Sequence, residues 1–428
     1  MEMVLEFLRD VLSQPALLIG IMSCVGLVAL KRPFHKVMTG TLKPILGYLM
    51  LAAGAGVIVS NLDPLGKMIE HGFHITGVVP NNEAIVAVAQ KVLGVETMSI
   101  LVVGLLMNLC IARFTKFKYV FLTGHHSLFM ACLMSAVLGT AGLSGMELIL
   151  VGGFLMGAWS AISPAIGQSY TSKVTDGDEI AIGHFGSLGY YLSAWVAQYV
   201  GKAEDSTEDI EIPEKWGFLR DSTLSTALTM IVFYLIAAIA AGSEFVSTLS
   251  GDMSPYLYAV MSAMNFAVGV TIVYSGVRMI LGDLIPAFQG IATKIIPNAI
   301  PAVDCAVFFT YAPTAVVLGF LSSFIGGIIG MLILGAVGGV LIIPGLVPHF
   351  FCGATAGIYG NATGGRRGAA VGAFLNGLAI TFLPAMALPV LGQLGFQNTT
   401  FGDADFAVMG LVLGNAYEWV GMAGIYGI

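Results

Sequence analysis

The sequence predicts an all-α polytopic membrane protein, and three observations predict it. The 428 residues are 57% hydrophobic and only 10% charged, with a mean hydropathy of +0.89. A soluble domain so composed would be coated in apolar surface that water does not tolerate over such areas. Apolar runs recur at about 20 residues, the length that crosses a bilayer. Basic residues gather where these runs end: Lys31, Arg32 and Lys36 after the first, and Arg113, Lys116 and Lys118 after another, as charges that set topology do.

In chain order the apolar segments fall near 15–30, 38–60, 98–112, 120–140 and 145–163, then a less regular region runs from Tyr170 to Val200. A polar loop covers 201–221. Segments near 223–246 and 255–281 follow, then broken apolar stretches across 298–361, and two last segments near 369–394 and 405–425. The total is about ten to twelve crossings. The first run lacks a basic n-region and an Ala-x-Ala exit, so it reads as a retained span. Basic ends placed in the cytoplasm put the N-terminus outside, the 201–221 loop inside and, for a count of eleven, the C-terminus inside. Two stretches read as helices lying along an interface. In 82–93, Ile85, Val88, Val92 and Leu93 oppose Glu83, Gln90 and Lys91; in 284–295, Leu284, Phe288, Ile291 and Ile295 share a face.

Other function classes are disfavoured. No polar tract is long enough for a separate soluble catalytic domain. The five cysteines, Cys24, Cys110, Cys132, Cys305 and Cys352, show no CxxC pairing or metal-ligand spacing, which argues against disulfides, zinc and iron–sulfur clusters. No metal, cofactor or nucleic-acid partner is expected. The 55 glycines include small-xxx-small pairs at Gly326/Gly330, Gly335/Gly339 and Gly360/Gly364, read first as close helix packing. A faint internal repeat is visible, Lys43 to Leu49 echoing Arg278 to Leu284.

The chemistry sits in the broken segments. Pro297, Pro301 and Pro313 bracket Asp304, so this region is not one uninterrupted helix, and backbone groups freed at membrane depth must line protein or a wet cavity. It reads as a re-entrant hairpin. A second candidate runs from Pro344-Gly345 through Pro348 and His349 to Asn361 and Gly364-Gly365. Free N–H groups at hairpin tips suit a hydroxylated or an anionic solute. An intramembrane carboxylate is costly, so Asp304 reads as functional, with a helix N-cap or a partner for a buried Lys as the plainer alternative. His125 and His184 each follow a glycine in a broken stretch, where the alternative is a core histidine bonded to a carbonyl. His126 reads as support for its neighbour, and His35, His71, His74 and His349 as loop or interface residues. The acidic stretch Glu204 to Asp209 reads as a solvated loop. An ion-coupled secondary transporter relaying protons through Asp304 and the histidines fits these features as well.

Several segments together carry a resemblance: Thr39-Gly40-Thr41-Leu42-Lys43, Leu122-Thr123-Gly124-His125, Val174-Thr175-Asp176-Gly177 with Ile182-Gly183-His184, Gly201-Lys202 to Leu224-Ser225-Thr226-Ala227, Ile300-Pro301-Ala302-Val303-Asp304-Cys305-Ala306, and Ile342-Ile343-Pro344-Gly345 followed by Pro348. In this order, over nearly the whole chain, they resemble the ascorbate-type enzyme IIC transporters of the bacterial phosphotransferase system. The resemblance implies a multi-pass inner-membrane homodimer of about eleven spans per protomer. Each protomer would combine a dimerising scaffold with an inverted-repeat core that moves like an elevator and holds solute on re-entrant hairpins. Residues 1–428 would then form a single IIC domain without IIA or IIB domains. A separate IIB protein carrying phosphocysteine, charged by a IIA protein, would phosphorylate the solute.

By the same resemblance, His125, His184 and Asp304, with Cys305 and Ala306 behind it, bind substrate, and Asp304 is the candidate base. Phe129 and Phe185 stand where ascorbate members carry glutamines, and Asn82-Glu83 where they carry a Thr-Tyr pair. Glu83, Phe129 and Phe185 are therefore expected at the substrate site. The resemblance implies L-ascorbate or a related sugar acid or polyol as solute, and because exchanging amides for phenyl rings removes hydrogen bonds worth about 1 kcal/mol each, ascorbate itself is expected to bind weakly.

Overall fold

A computed structural model of the chain describes residues 11, 14–74, 77, 78, 80, 82–210, 222–393 and 400–420. Helix α1 (Pro15–Ala29) opens on Pro15, at the position where a missing N–H costs nothing. Then come α2 (Phe34–Gly72), α3 (Asn82–Phe114), α4 (Gly124–Thr140), α5 (Gly145–Thr175) and α6 (Ser187–Val200). Helices α7 (Ser222–Ala241) and α8 (Ser243–Ser250) bend by 116° around Gly242, whose φ of +82° suits glycine. Finally α9 (Pro255–Lys294), α10 (Pro313–Ala336), α11 (Leu346–Gln393) and α12 (Ala404–Val420) close the chain. Within α11 the helix breaks at Gly364 and Gly365.

Among the described residues six helices are long and apolar enough to cross a membrane, or seven if the bent pair is one span. The chain is an all-α polytopic membrane protein. Reaching about eleven crossings means also counting the shorter apolar helices, Ala16–Ala29 and Ala404–Asn415, and the arms of broken segments. The two stretches read as separate interfacial helices are instead parts of α3 and α9. Away from water, an opened backbone hydrogen bond costs more than the weak propensity of Gly94 or the lost donor at Pro286.

Helices α2 and α9 pair antiparallel, because Gly47 lies against Gly276 and Gly54 against Gly269. A Cβ at Gly276 would sit 2.5 Å from the Gly47 carbonyl oxygen. Along their outer sides large apolar residues stand exposed at helical spacing: Met38, Leu42, Leu46 and Leu49 on α2, and Leu257, Met261, Met264 and Val268 on α9. On α7, Leu228, Val232, Ile236 and Ile239 do the same. Such stripes are what a bilayer covers. Of the small-xxx-small pairs, Gly326/Gly330 receives the backbone of Phe374 and the side chain of Thr381 from α11, and Gly360/Gly364 receives Gly368 and the Ala197 carbonyl. Gly335/Gly339 does not act this way, since Gly339 lies beyond the end of α10.

A three-stranded parallel sheet interrupts the helical fold, with β1 (Tyr119–Phe121), β2 (Ala181–Ile182) and β3 (Ile300–Val303) in the order β1-β3-β2. The expected hairpin around Asp304 is thus strand β3, then a 3-10 turn over Cys305–Thr310, then α10. Likewise the segment expected as a span at 120–140 begins as a strand. Pro301 is accommodated in β3 because Ile300 and Ala302 make the bonds to β1, so its missing N–H faces the other edge, ahead of where β2 pairs with Ala302 and Val303. Two apolar clusters flank the sheet, one holding Leu122, Ile182 and Val303, the other Phe121, Ala181 and Ala302. Alternate strand residues therefore face opposite cores.

Candidate functional site

Each strand delivers a polar residue from its C-terminal end. β1 leads into His125 and His126, β2 into His184, and β3 into Asp304. The chain beyond each strand turns at once into helix or 3-10 turn, so helix N-termini converge where the strands stop. Gly183 shows why the turn must be small: a Cβ there would lie 2.4 Å from the Ala302 carbonyl oxygen.

His125 Nε2 lies 3.4 Å from Asp304 Oδ2, and His125 Nδ1 lies 3.3 Å from the Tyr48 hydroxyl of α2. The His125 side chain is 38% exposed and that of Asp304 8%, so the imidazole is the wet partner of a buried carboxylate. The other carboxylate oxygen of Asp304 accepts the Ala306 N–H at 3.1 Å, making Asp304 the N-cap of the 3-10 turn. N-cap and site carboxylate are therefore one residue. Cys305 and Ala306 are buried directly behind it.

His184 is buried, and its Nδ1 is met by the Tyr190 hydroxyl at 2.8 Å and the Gly186 N–H at 3.1 Å. With two hydrogens directed at Nδ1 the neutral ring carries its proton on Nε2 when both donate. His126 packs against His184 with ring centroids 3.8 Å apart, and its Nδ1 accepts the Phe185 N–H at 3.3 Å. It supports the second histidine segment as much as its own neighbour. His349, expected in a loop or at an interface, is instead buried within α11, 2.9 Å from Ser323 Oγ. Burial among helices requires that polar partner. His35 is exposed on α2, His71 on the same helix is stacked on Phe245, and His74 lies in a left-handed turn with φ of 55°.

These groups line a cavity of about 1170 Å³ that includes Tyr48, His125, His126, Phe129, His184, Asp304, Cys305, Ala306 and Asp403. Phe129 is half-buried at its wall, edge-on to His125 at 5.8 Å. Phe185 does not line it. Its fully buried ring stacks on Phe121 at 4.6 Å and meets Phe406, because residues following β2 alternate faces and His184 takes the cavity side. The side chain of Glu83 lies outside the described residues, whereas Asn82 lines the cavity.

Sequence reasoning missed two carboxylates that begin the last helix. Asp403 is buried, with Oδ1 accepting from the Cys352 thiol at 2.7 Å and Oδ2 from the Asn82 amide. Asp405, also buried, accepts from Ser187 Oγ at 2.8 Å, the Leu188 N–H at 2.9 Å and Trp159 Nε1 at 3.3 Å. It caps α6 from another helix and so fixes the turn carrying His184. The available signal is a pair of acids at the start of an apolar run. Ligand atoms of His184, Asp304 and Cys305 lie within 4.8 Å of one another, as do those of His184, Cys352 and Asp403; these are the donors a thiophilic divalent cation would use.

Fold and site together define a polytopic membrane protein with a largely apolar cavity that holds a cluster of polar side chains at interrupted helices. The family profile EIIC-GAT, described as PTS system sugar-specific permease component, matches residues 10–405, and the chain belongs to that family. It is 27% identical over 424 residues to the ascorbate-specific PTS system EIIC component of Mycoplasma pneumoniae (strain ATCC 29342 / M129 / Subtype 1). That similarity covers 85% of this chain and 63% of the relative, so the chain spans less than two thirds of that protein's length.

Proposed function

We propose that this chain is the substrate-translocating IIC component of a phosphotransferase-system transporter. It carries a small sugar-like solute across the inner membrane to a separate IIB protein, itself charged by IIA. The observation that carries the reading is the His125–Asp304 pair at the cavity wall, 3.4 Å apart, in a chain of the sugar-permease family. Solute hydroxyls would donate to Asp304 and accept from the imidazoles of His125 and His184. During transfer the hydroxyl oxygen attacks the phosphorus of phosphocysteine, the phosphorus–sulfur bond breaks, and the proton passes to Asp304 or, through it, to His125.

Movement of a core against a dimerising scaffold, in the manner of an elevator, agrees with the packing. Helices α1, α2, α7 and α9 pack on one another, while the site residues other than Tyr48 come chiefly from β1, β2, β3 and the segments after them. The expected orientation, N-terminus outside and the 201–221 loop in the cytoplasm, belongs to this proposal, as does the homodimer. Vesicles containing the protein alone are expected not to concentrate solute, whereas cognate IIA and IIB with a phosphoryl donor should drive accumulation of its phosphate ester. Concentrative uptake driven by a proton gradient alone would overturn the reading in favour of an ion-coupled transporter.

A further inference from the structure

We propose that Asp403 is a second substrate carboxylate and that it makes the cavity selective for neutral polyhydroxylated solutes over sugar acids and other anions. This inference rests on the permease reading of the same cavity and narrows its substrate class. Asp304 and Asp403 both lie close to His184, whose ring belongs to both groups of close-lying donor atoms. Asp304 spends one oxygen on the Ala306 N–H and faces His125 with the other. Asp403 has a thiol and an amide as its partners, both neutral. An ionised carboxyl group offers about four acceptor sites, so each aspartate retains room for solute hydroxyls. Two carboxylates near one imidazole suit a chain of hydroxyl groups, each of which can donate one way and accept the other.

Hairpin tips with free N–H groups would suit an anion equally well, and α4 starts without a side-chain cap, but three such groups beside Asp304, His184 and Asp405 are used. The Ala306, Gly186 and Leu188 N–H groups are taken by Asp304, His184 and Asp405. The positive ends of these turns thus compensate the protein's own carboxylates. Of the acidic residues in the described lining, Asp304 and Asp403 are the buried ones, whereas Asp63 and Lys67 form an exposed ion pair at 2.9 Å. A carboxylate or ascorbate monoanion would enter against this charge in a site where water screens little.

The test is a calorimetric panel on the purified full chain with matched pairs, glucitol against gluconate and ribitol against ribonate, together with ascorbate. At least one polyol should bind tenfold or more tightly than its aldonate and than ascorbate. Asp403→Asn should shrink that ratio to threefold or less, chiefly by tightening the aldonate. Tighter wild-type binding of an aldonate or ascorbate, no binding of any polyol, or an unchanged ratio in a folded Asp403→Asn protein would each overturn the proposal. The wild-type panel decides it even if the variant does not fold. Phosphorylation of an anionic solute with IIA and IIB would sink this inference while leaving the permease reading standing. Polyol binding without phosphorylation under those conditions would do the reverse.

Discussion

The α2–α9 pair and the three-strand node solve the same problem in opposite ways. In the pair the backbone keeps its hydrogen bonds within each helix, and contact comes from glycines that let Gly47 meet Gly276 and Gly54 meet Gly269. Its close contacts are glycine against backbone, and Lys43 lies 3.6 Å from Asp283 at its margin. In the node the helices stop, strands as short as Ala181–Ile182 pair with a neighbour from another segment, and the freed groups are closed by Asp304, His184 and Asp405. Unbroken helices give a wall packed on glycines, whereas interrupted ones need polar caps, and two of those caps, Asp304 and His184, line the cavity.

The largest effect that would test this contrast is at Asp304. Asp304→Asn keeps the N-cap acceptor for Ala306 but removes the charge facing His125, so phosphorylation is expected to fall by about 100- to 10,000-fold, the range for a lost general base. Thermal stability in detergent should barely move. Wild-type turnover in the phosphorylation assay would deny the carboxylate that role. On the other side of the comparison, Gly276→Val places a Cβ against the Gly47 carbonyl oxygen and the Leu51 amide. Its cost is expected at about 1–3 kcal/mol, as for overpacked cores, read as a lowered unfolding temperature with solute affinity of the folded fraction unchanged. A lost affinity with unaltered melting would mean that the pair is part of the binding machinery. The smallest effect is at Phe129. Phe129→Gln should strengthen ascorbate binding by about 3- to 10-fold, one hydrogen bond gained at the cavity wall, measured by calorimetry. No gain would show that the ring position does not face solute.

The polar residues interrupting apolar runs are legible in the sequence, since a His or Asp inside an apolar stretch broken by Gly or Pro has few purely structural reasons to sit in a bilayer. His125, His184 and Asp304 do share one cavity. The strands are not legible, because two to four residues are too few to show a period of two. Without the strands, the facing of Phe185 cannot be derived, and a position one residue after a cavity histidine reads as a cavity position. Asp403 and Asp405 read as ordinary first-turn acids of a last helix. Only folding brings Cys352, Asn82 and Ser187 to them.

The strand order also dictates a schedule for biogenesis. The central strand β3 is the last of the three to be synthesised, so β1 and β2 leave the ribosome with no neighbour to bond. From Ile182 to Ile300 is a wait of about 6–24 s at elongation rates of about 5–20 residues per second. During that interval their backbone groups, and the histidines that follow them, can be solvated only by water or by an assisting protein. A nascent chain halted before residue 300 would therefore hold its first helices in the membrane with His125 and His184 already made but no carboxylate from β3 to face them. The cavity comes into being late: its histidines wait on the four-residue strand that leads to Asp304, and its lining is complete only once Asp403 has followed.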